Sequence, residues 1–311
     1  MLSHPRWSSI LVLCCVALFA DAARGQSLSI IKKGESELWV NAAAPPDTEY
    51  ILQASRNLNL WVDLNDEVSD QVSNRVDNAG VTERFFRLMP WTPPAAPITI
   101  VLLGDSTVAD FASNANLVYG WGNGIYGYFK DNARVVNLAY PGYSSKSFLA
   151  SDEKTRMITI KPNFVLVEFG LIDEFSTPEN RTTLEEFAAD LKIIVQIVRD
   201  FNGTPILITP QAEKYYDTEG KVVPVYQDRM AVVRNVAAEL ETPLIDLNQL
   251  SIDMFNKLGK SGSEYIWWPG KDYLHFSEKG AQVIAGLVVN ALPASLGTYL
   301  VPGILDPPPQ P

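Results

Sequence analysis

A chain of 311 residues with 47% hydrophobic side chains can build one large domain, or a medium domain with a small module, around a sizeable core. Its formal charge of -11 argues against nucleic acid and against anionic membrane surfaces as partners. The excess of acid also favours solubility.

The first residues have the layout of a leader. His4 and Arg6 form a weakly positive start, Ile10 to Ala20 form an apolar run, and small residues follow at Ala20, Ala22, Ala23 and Gly25. The run is too short to span a bilayer and matches a signal peptide covering residues 1–25. A secreted protein, periplasmic or extracellular, is therefore expected, with no stable membrane insertion. Both cysteines, Cys14 and Cys15, lie inside the apolar run, so the processed chain has no thiol and no disulfide.

Residues 28–90 read as a small β-rich module. Leu38-Trp39-Val40, Tyr50-Ile51-Leu52, Leu60-Trp61-Val62 and Phe85-Phe86-Arg87-Leu88 are β-prone clusters separated by Pro, Asn, Asp and Gly. The pattern resembles the small β modules that precede enzymes in secreted bacterial proteins. A structural adaptor predicts buried Trp39 and Trp61, whereas a glycan-binding module predicts exposed ones. Residues 91–97, with three prolines, form a stiff linker.

From residue 98 the pattern alternates. Apolar runs at Ile98–Leu103, Val135–Leu138, Phe164–Phe169, Pro205–Thr209 and Pro243–Leu247 suit strands of a parallel sheet buried on both faces. Helical periodicity lies between or after them at Leu184–Arg199, Tyr226–Leu240 and Ala281–Leu292. This predicts an α/β domain over residues 98–297, followed by a Pro-rich tail over 298–311. In such sheets, sites form at the carboxyl ends of the strands.

The first of these strands ends in Gly104-Asp105-Ser106, which puts a serine where a nucleophile belongs. The amide of Ser106, at the start of a helix, is a candidate oxyanion donor. Gly-Asp-Ser alone is common in turns. The histidines add specificity, because the chain has two and His4 is in the leader, leaving His275. A histidine is the side chain suited to take a serine proton near neutral pH. Asp272, three positions earlier, is placed to hold its tautomer.

These residues carry a family resemblance. Gly104-Asp105-Ser106-Thr107-Val108-Ala109-Asp110 resembles the first block of the SGNH, or GDSL-like, hydrolases. The rhamnogalacturonan acetylesterase branch is the nearest in pattern, with Gly120-Trp121-Gly122 following. Asn137 to Phe148 resembles that branch's second block, and Asp272 to Ser277 with Gly280-Ala281 its last. The resemblance implies a flavodoxin-like, three-layer α/β/α sandwich with a parallel sheet of about five strands. It implies Ser106 as nucleophile, His275 as base, Asp272 as its partner, and the amides of Ser106 and Gly142 as oxyanion donors. No metal or organic cofactor is implied.

The chain departs from the family in its third block, Gly170-Leu171-Ile172-Asp173, where Ile172 replaces an asparagine whose amide points at the oxyanion. Losing one such donor costs roughly 10²–10³ in turnover. Asn137 is a candidate replacement, and Asp173 reads as a residue that positions a loop. Tyr143 and Glu213 stand where the pectin-acting branch has arginine. Trp121, Tyr143 and Lys146 are the expected substrate contacts, with Tyr215, Trp267 and Trp268 as further stacking faces and Lys214 as further positive charge.

The resulting expectation is a secreted serine esterase that removes acetyl groups from a plant-type, rhamnogalacturonan-like polysaccharide through an acyl-enzyme. The alternatives are a non-catalytic glycan-binding protein on the same fold, motivated by Ile172, and an esterase for another small acyl ester.

Overall fold

The computed structural model describes residues 27–32, 37–43, 50–55, 61–63, 71–77, 85–90, 95–111, 118–175, 177–269 and 272–301. The expected leader, most of the linker and the end of the tail lie outside the described residues. The described chain divides into two compact units. One runs up to Ala95 and includes the segment from Pro293; the other runs from Ala96 to Leu292.

The first unit holds two antiparallel sheets of three strands. Strands β1 (Ser27–Lys32), β2 (Glu37–Ala43) and β5 (Gln71–Asp77) form one, in the order β1-β2-β5. Strands β3 (Tyr50–Ser55), β4 (Val62–Asp63) and β6 (Phe85–Pro90) form the other, in the order β4-β3-β6. Val40, Leu52, Ala54, Trp61, Phe85 and Phe86 are buried, and the Arg87 guanidinium lies 4.1 Å above the Trp61 ring. A buried Trp61 favours the adaptor role over sugar stacking; the side chain of Trp39 lies outside the described set.

A 3-10 turn over Ala294–Tyr299 belongs to this first unit and packs on β4, with Leu296, Tyr299 and Leu300 buried. This corrects two boundaries read from sequence. The α/β unit stops at Leu292 rather than 297, and residues 298–301 are folded rather than tail. The apolar trio Leu296, Tyr299 and Leu300 needs cover, and proline content near the terminus masks that signal.

The second unit carries a five-stranded parallel sheet. Its strands are β7 (Ile98–Leu103), β8 (Ala133–Asn137), β9 (Phe164–Glu168), β10 (Thr204–Ile208) and β11 (Leu244–Ile245). Their order is β11-β10-β9-β7-β8, the doubly wound arrangement of flavodoxin-like folds. The direction of winding changes between β7 and β9, so a crevice opens at the carboxyl ends of those two strands.

Side chains alternate across the sheet. Val101, Leu103, Val165, Val167 and Leu207 join one core. That core is closed by α2 (Ser145–Leu149), α3 (Asp152–Ile160), α5 (Leu184–Asp200) and α6 (Gln227–Glu239). Helix α5 starts where Thr183 and Glu186 form a reciprocal capping box, and it buries Phe187, Leu191, Ile194, Val195 and Val198. Ile100, Leu102, Leu166, Ile206 and Ile208 are buried on the other face. The helices of that layer are α1 (Trp121–Ile125), α7 (Leu247–Gly262) and α8 (Glu278–Asn290), and α8 touches both others. A short helix, α4 (Leu171–Phe175), follows β9.

Two glycines set how closely α1 sits. A Cβ on Gly122 would come 2.1 Å from the Val108 carbonyl oxygen and 2.3 Å from Asn137 Nδ2. One on Gly124 would come 2.6 Å from the Ala281 backbone of α8. The segment after the serine turn and the helix after the histidine are thereby packed backbone to backbone.

The sequence periodicity predicts no helix at α1, α2, α3, α4 or α7. The apolar run Pro243–Leu247 predicts a longer strand than the structure has, because Asp246 caps α7 by accepting from the Gln249 amide, which cuts the strand to two residues.

Candidate active site

Strand β7 delivers Ser106 to the crevice. After Gly104 the chain makes one tight turn, closed by hydrogen bonds from the Val108 and Ala109 amides to the Asp105 carbonyl, at 3.2 and 3.0 Å. The helix expected at Ser106 is therefore a single turn, and no helix dipole is available there. Asp105 Oδ1 accepts from the Thr107 amide at 2.8 Å, which fixes the turn from inside.

His275 sits in the loop before α8. Its neighbours are clamped by backbone pairs: Tyr119 and Phe276 exchange hydrogen bonds at 3.1 and 3.3 Å, and the Trp268 amide donates to the His275 carbonyl at 3.0 Å. Ser277 caps α8 immediately afterwards through the Gly280 amide. Asp272 Oδ1 accepts from the amides of Leu274 and His275 at 2.5 and 3.1 Å, so its carboxylate is aimed before the imidazole is reached.

The three side chains meet. His275 Nε2 is 2.7 Å from Ser106 Oγ, and His275 Nδ1 is 2.6 Å from Asp272 Oδ2. Partial burial pushes the Asp272 carboxyl upward. The hydrogen bond and charge of His275, with the two amides, outweigh burial and hold it at about 2. An ionised Asp272 accepts a hydrogen bond from Nδ1–H and so keeps the proton on that nitrogen, which leaves the Nε2 lone pair facing the serine hydroxyl. Ser106 is 9% exposed, so the pair is screened from bulk water but reachable.

Beneath the serine lies a buried polar floor. Thr107 Oγ1 is 2.8 Å from Asp105 Oδ1 and 2.9 Å from Glu168 Oε1, and Trp121 Nε1 donates to Glu168 Oε2 at 3.0 Å. Burial pushes Asp105 up to about 6, against hydrogen bonds from Thr107 and the charge of His275. Burial, with the charge of Asp105, raises Glu168 well above the usual carboxylate range. Sequence reasoning missed Glu168; a lone acid inside an otherwise apolar strand was the available signal.

The expected oxyanion donors are placed as follows. Gly142 is exposed with φ at +85°, a conformation that suits glycine. Among the described residues, neither the Ser106 nor the Gly142 amide has a protein acceptor. Asn137 does not replace the missing amide. Its Nδ2 donates to the Val108 carbonyl and to Asp110, at 2.8 and 3.0 Å, and its Oδ1 accepts from the Ala139 amide. Ile172 is half-buried on α4. Asp173 is buried and accepts from the Ser145 hydroxyl at 2.6 Å and the Thr182 hydroxyl at 3.1 Å, tying α4 to the start of α2.

Of the expected substrate contacts and stacking faces, Trp121 and Trp267 need correction. Trp121 is fully buried, with its indole N–H on Glu168, and cannot touch a sugar. Trp267 is likewise buried, against Phe255 and Phe276. Tyr143 packs partly into the core and gives its hydroxyl to Glu153 at 2.8 Å. Lys146 is exposed on α2, and its charge acts on Glu179 and Asp190. The Lys214 ammonium is ion-paired with Glu264. Trp268 is half-buried.

A cleft of about 290 Å³ adjoins the triad acid, lined by Glu213, Tyr215, Tyr226, Asp272, Tyr273 and Leu274. Tyr226 and Tyr273 were missed from sequence, although Tyr273 lies inside the last motif block. Burial, with the charge of Asp272, pushes Glu213 up to about 7.

The pattern of the GDSL-like Lipase/Acylhydrolase family matches residues 102–283, more than half of the chain and the whole span from the serine strand to α8. The chain belongs to this family. The GDSL-like chain is 30% identical over 216 residues to a probable rhamnogalacturonan acetylesterase, YesY, of Bacillus subtilis (strain 168), covering 66% of this chain and 97% of that protein. It is 26% identical over 213 residues to the rhamnogalacturonan acetylesterase RhgT of the same organism, covering 63% and 90%. Among solved structures, the YxiM protein of Bacillus subtilis aligns with a TM-score of 0.59 at 20% identity, over 86% of this chain and 90% of that one. The GDSL-like chain is thus a serine hydrolase of the carbohydrate esterase kind.

Proposed function

We propose that this esterase is secreted and removes acetyl groups from acetylated plant-type polysaccharide of the rhamnogalacturonan kind, through an acetyl-enzyme on Ser106. The observation that carries the reading is the continuous hydrogen-bond line Ser106–His275–Asp272 at 2.7 and 2.6 Å. The names of two relatives, both rhamnogalacturonan acetylesterases, support the substrate class. The layout of residues 1–25 supports secretion.

In this reading Ser106 Oγ attacks the acetyl carbonyl while His275 Nε2 takes its proton. The imidazolium is stabilised by ionised Asp272. Negative charge on the former carbonyl oxygen is met by the free amides of Ser106 and Gly142. His275 then returns the proton to the departing sugar oxygen, and the C–O bond of the ester breaks. Water, deprotonated by the same nitrogen, attacks the acetyl-serine; the bond between the acyl carbon and Ser106 Oγ breaks, His275 returns the proton to Oγ, and acetate leaves.

The test is acetate release from acetylated rhamnogalacturonan, acetylated xylan and an aryl acetate, for wild type and Ser106→Ala. The reading expects release that vanishes in the variant. Full release by folded Ser106→Ala would overturn the mechanism, and release from the aryl ester alone would overturn the polysaccharide assignment.

A further inference from the structure

The cleft beside the triad has a composition that selects its occupant. Its volume of about 290 Å³ lies at the bottom of the roughly 300–1,000 Å³ range of small-molecule sites, enough for one ring rather than a chain. Tyr215 and Tyr273 stack with ring centroids 5.1 Å apart and 17° between planes, and are 39% and 54% exposed. Each ring of a stacked pair covers one face of the other, so the pair braces Tyr273, the more exposed of the two, and leaves its outer face open. The electron-rich face of such a ring attracts the C–H edges of a pyranose.

The polar groups of the cleft are acids. Glu213 is 5% exposed, and Asp272 forms the wall towards His275. Tyr226 adds a phenol. None of the described lining residues is cationic, and the neighbouring Lys214 ammonium is held by Glu264. Carboxylates accept hydrogen bonds from sugar hydroxyls, but they repel a sugar that bears its own carboxylate, and the repulsion is strong where water is scarce.

Resting on the acetylesterase reading, we propose that this cleft is a subsite for one uncharged pyranose ring, seated on the outer face of Tyr273, which Tyr215 backs, with Glu213 and Asp272 excluding a uronate from it. In a polymer that alternates neutral and acidic sugars, the neutral residue takes the cleft. In a polymer of uronates alone, nothing fits it well.

The experiment compares kcat/KM for acetate release from acetylated xylan, all neutral, and acetylated homogalacturonan, all uronate, at pH 8, with an aryl acetate as reference ester. Wild type is expected to favour the xylan at least tenfold, and Glu213→Gln to shrink that gap about tenfold, because it removes a charge and keeps the shape. Equal rates on the two polymers in wild type, or an unchanged gap in folded Glu213→Gln, would overturn the proposal. Tyr273→Ala alters an exposed ring. It is expected to raise KM for acetylated xylo-oligosaccharides more than it lowers kcat, and an unchanged KM would equally overturn the subsite. No release by wild type from any ester, the aryl acetate included, would overturn the esterase reading itself and the subsite with it.

Discussion

The hydroxyl of Thr107 stands 2.9 Å from Glu168 Oε1, and it has one proton to give. The same oxygen is 2.8 Å from Asp105 Oδ1. One hydroxyl proton cannot satisfy two carboxylates, so the second contact is filled by a proton on a carboxyl group. Burial raises both acids, and the charge of Asp105 raises Glu168 further, which makes Glu168 the natural carrier. Neutral Glu168 then donates to Thr107, Thr107 donates to Asp105, and a single negative charge remains under the nucleophile.

Glu168→Gln should therefore fold and stay active within a few-fold, since an amide can give to Thr107 and accept from Trp121. Glu168→Ala strands the Trp121 and Thr107 groups, at about 1–3 kcal/mol each. The raised acid also sets a sign. An acid whose folded value lies above its unfolded one holds more protons when folded, so its contribution is present below the unfolded value and is lost as pH rises towards the folded one. Wild type should lose stability from pH 4.5 upward relative to Glu168→Gln. Thermal unfolding of both proteins between pH 4 and 9 checks this; parallel curves would refute the proton on Glu168.

Asp272→Asn keeps the shape beside His275 but leaves the imidazole without an anionic acceptor for Nδ1–H. An amide presented there favours the wrong tautomer, and the expected loss in kcat is on the order of 10³–10⁴. Steady-state kinetics on an aryl acetate measure it, with circular dichroism to confirm the fold.

Ile172→Asn tests the incomplete oxyanion site. Asn137 is committed to Val108, Asp110 and Ala139, so no side-chain amide replaces the missing one from that position. A donor added on α4 should raise kcat about tenfold and leave KM nearly unchanged, less than the 10²–10³ that removing an optimised donor costs. A fall in kcat with unaltered stability would show that the site is complete without it.

Gly122→Ala places a methyl 2.1 Å from the Val108 carbonyl oxygen. Backbone on both sides has to move, so a loss of about 2–4 kcal/mol is expected, towards the large end for single substitutions. Urea unfolding reads the change directly. Activity should fall with it, because the same segment anchors Trp121 above Glu168.

The sequence by itself determined the architecture of the second unit. Five apolar runs became five parallel strands, because a strand covered on both faces must be apolar at nearly every position. It also singled out Ser106, Asp272 and His275, since a histidine three residues after an acid is a local pattern that survives without coordinates. The tertiary structure alone decided which aromatic rings face solvent. Trp121 and Tyr273 both flank motif residues, yet the first is buried on Glu168 and the second is 54% exposed beside the triad. Exposure depends on what the rest of the chain packs against a side chain, and no local pattern encodes it. The same holds for Glu168, Thr107 and Asp105. Their shared proton follows from distances between residues up to 61 positions apart, fixed when β7 and β9 pair in register.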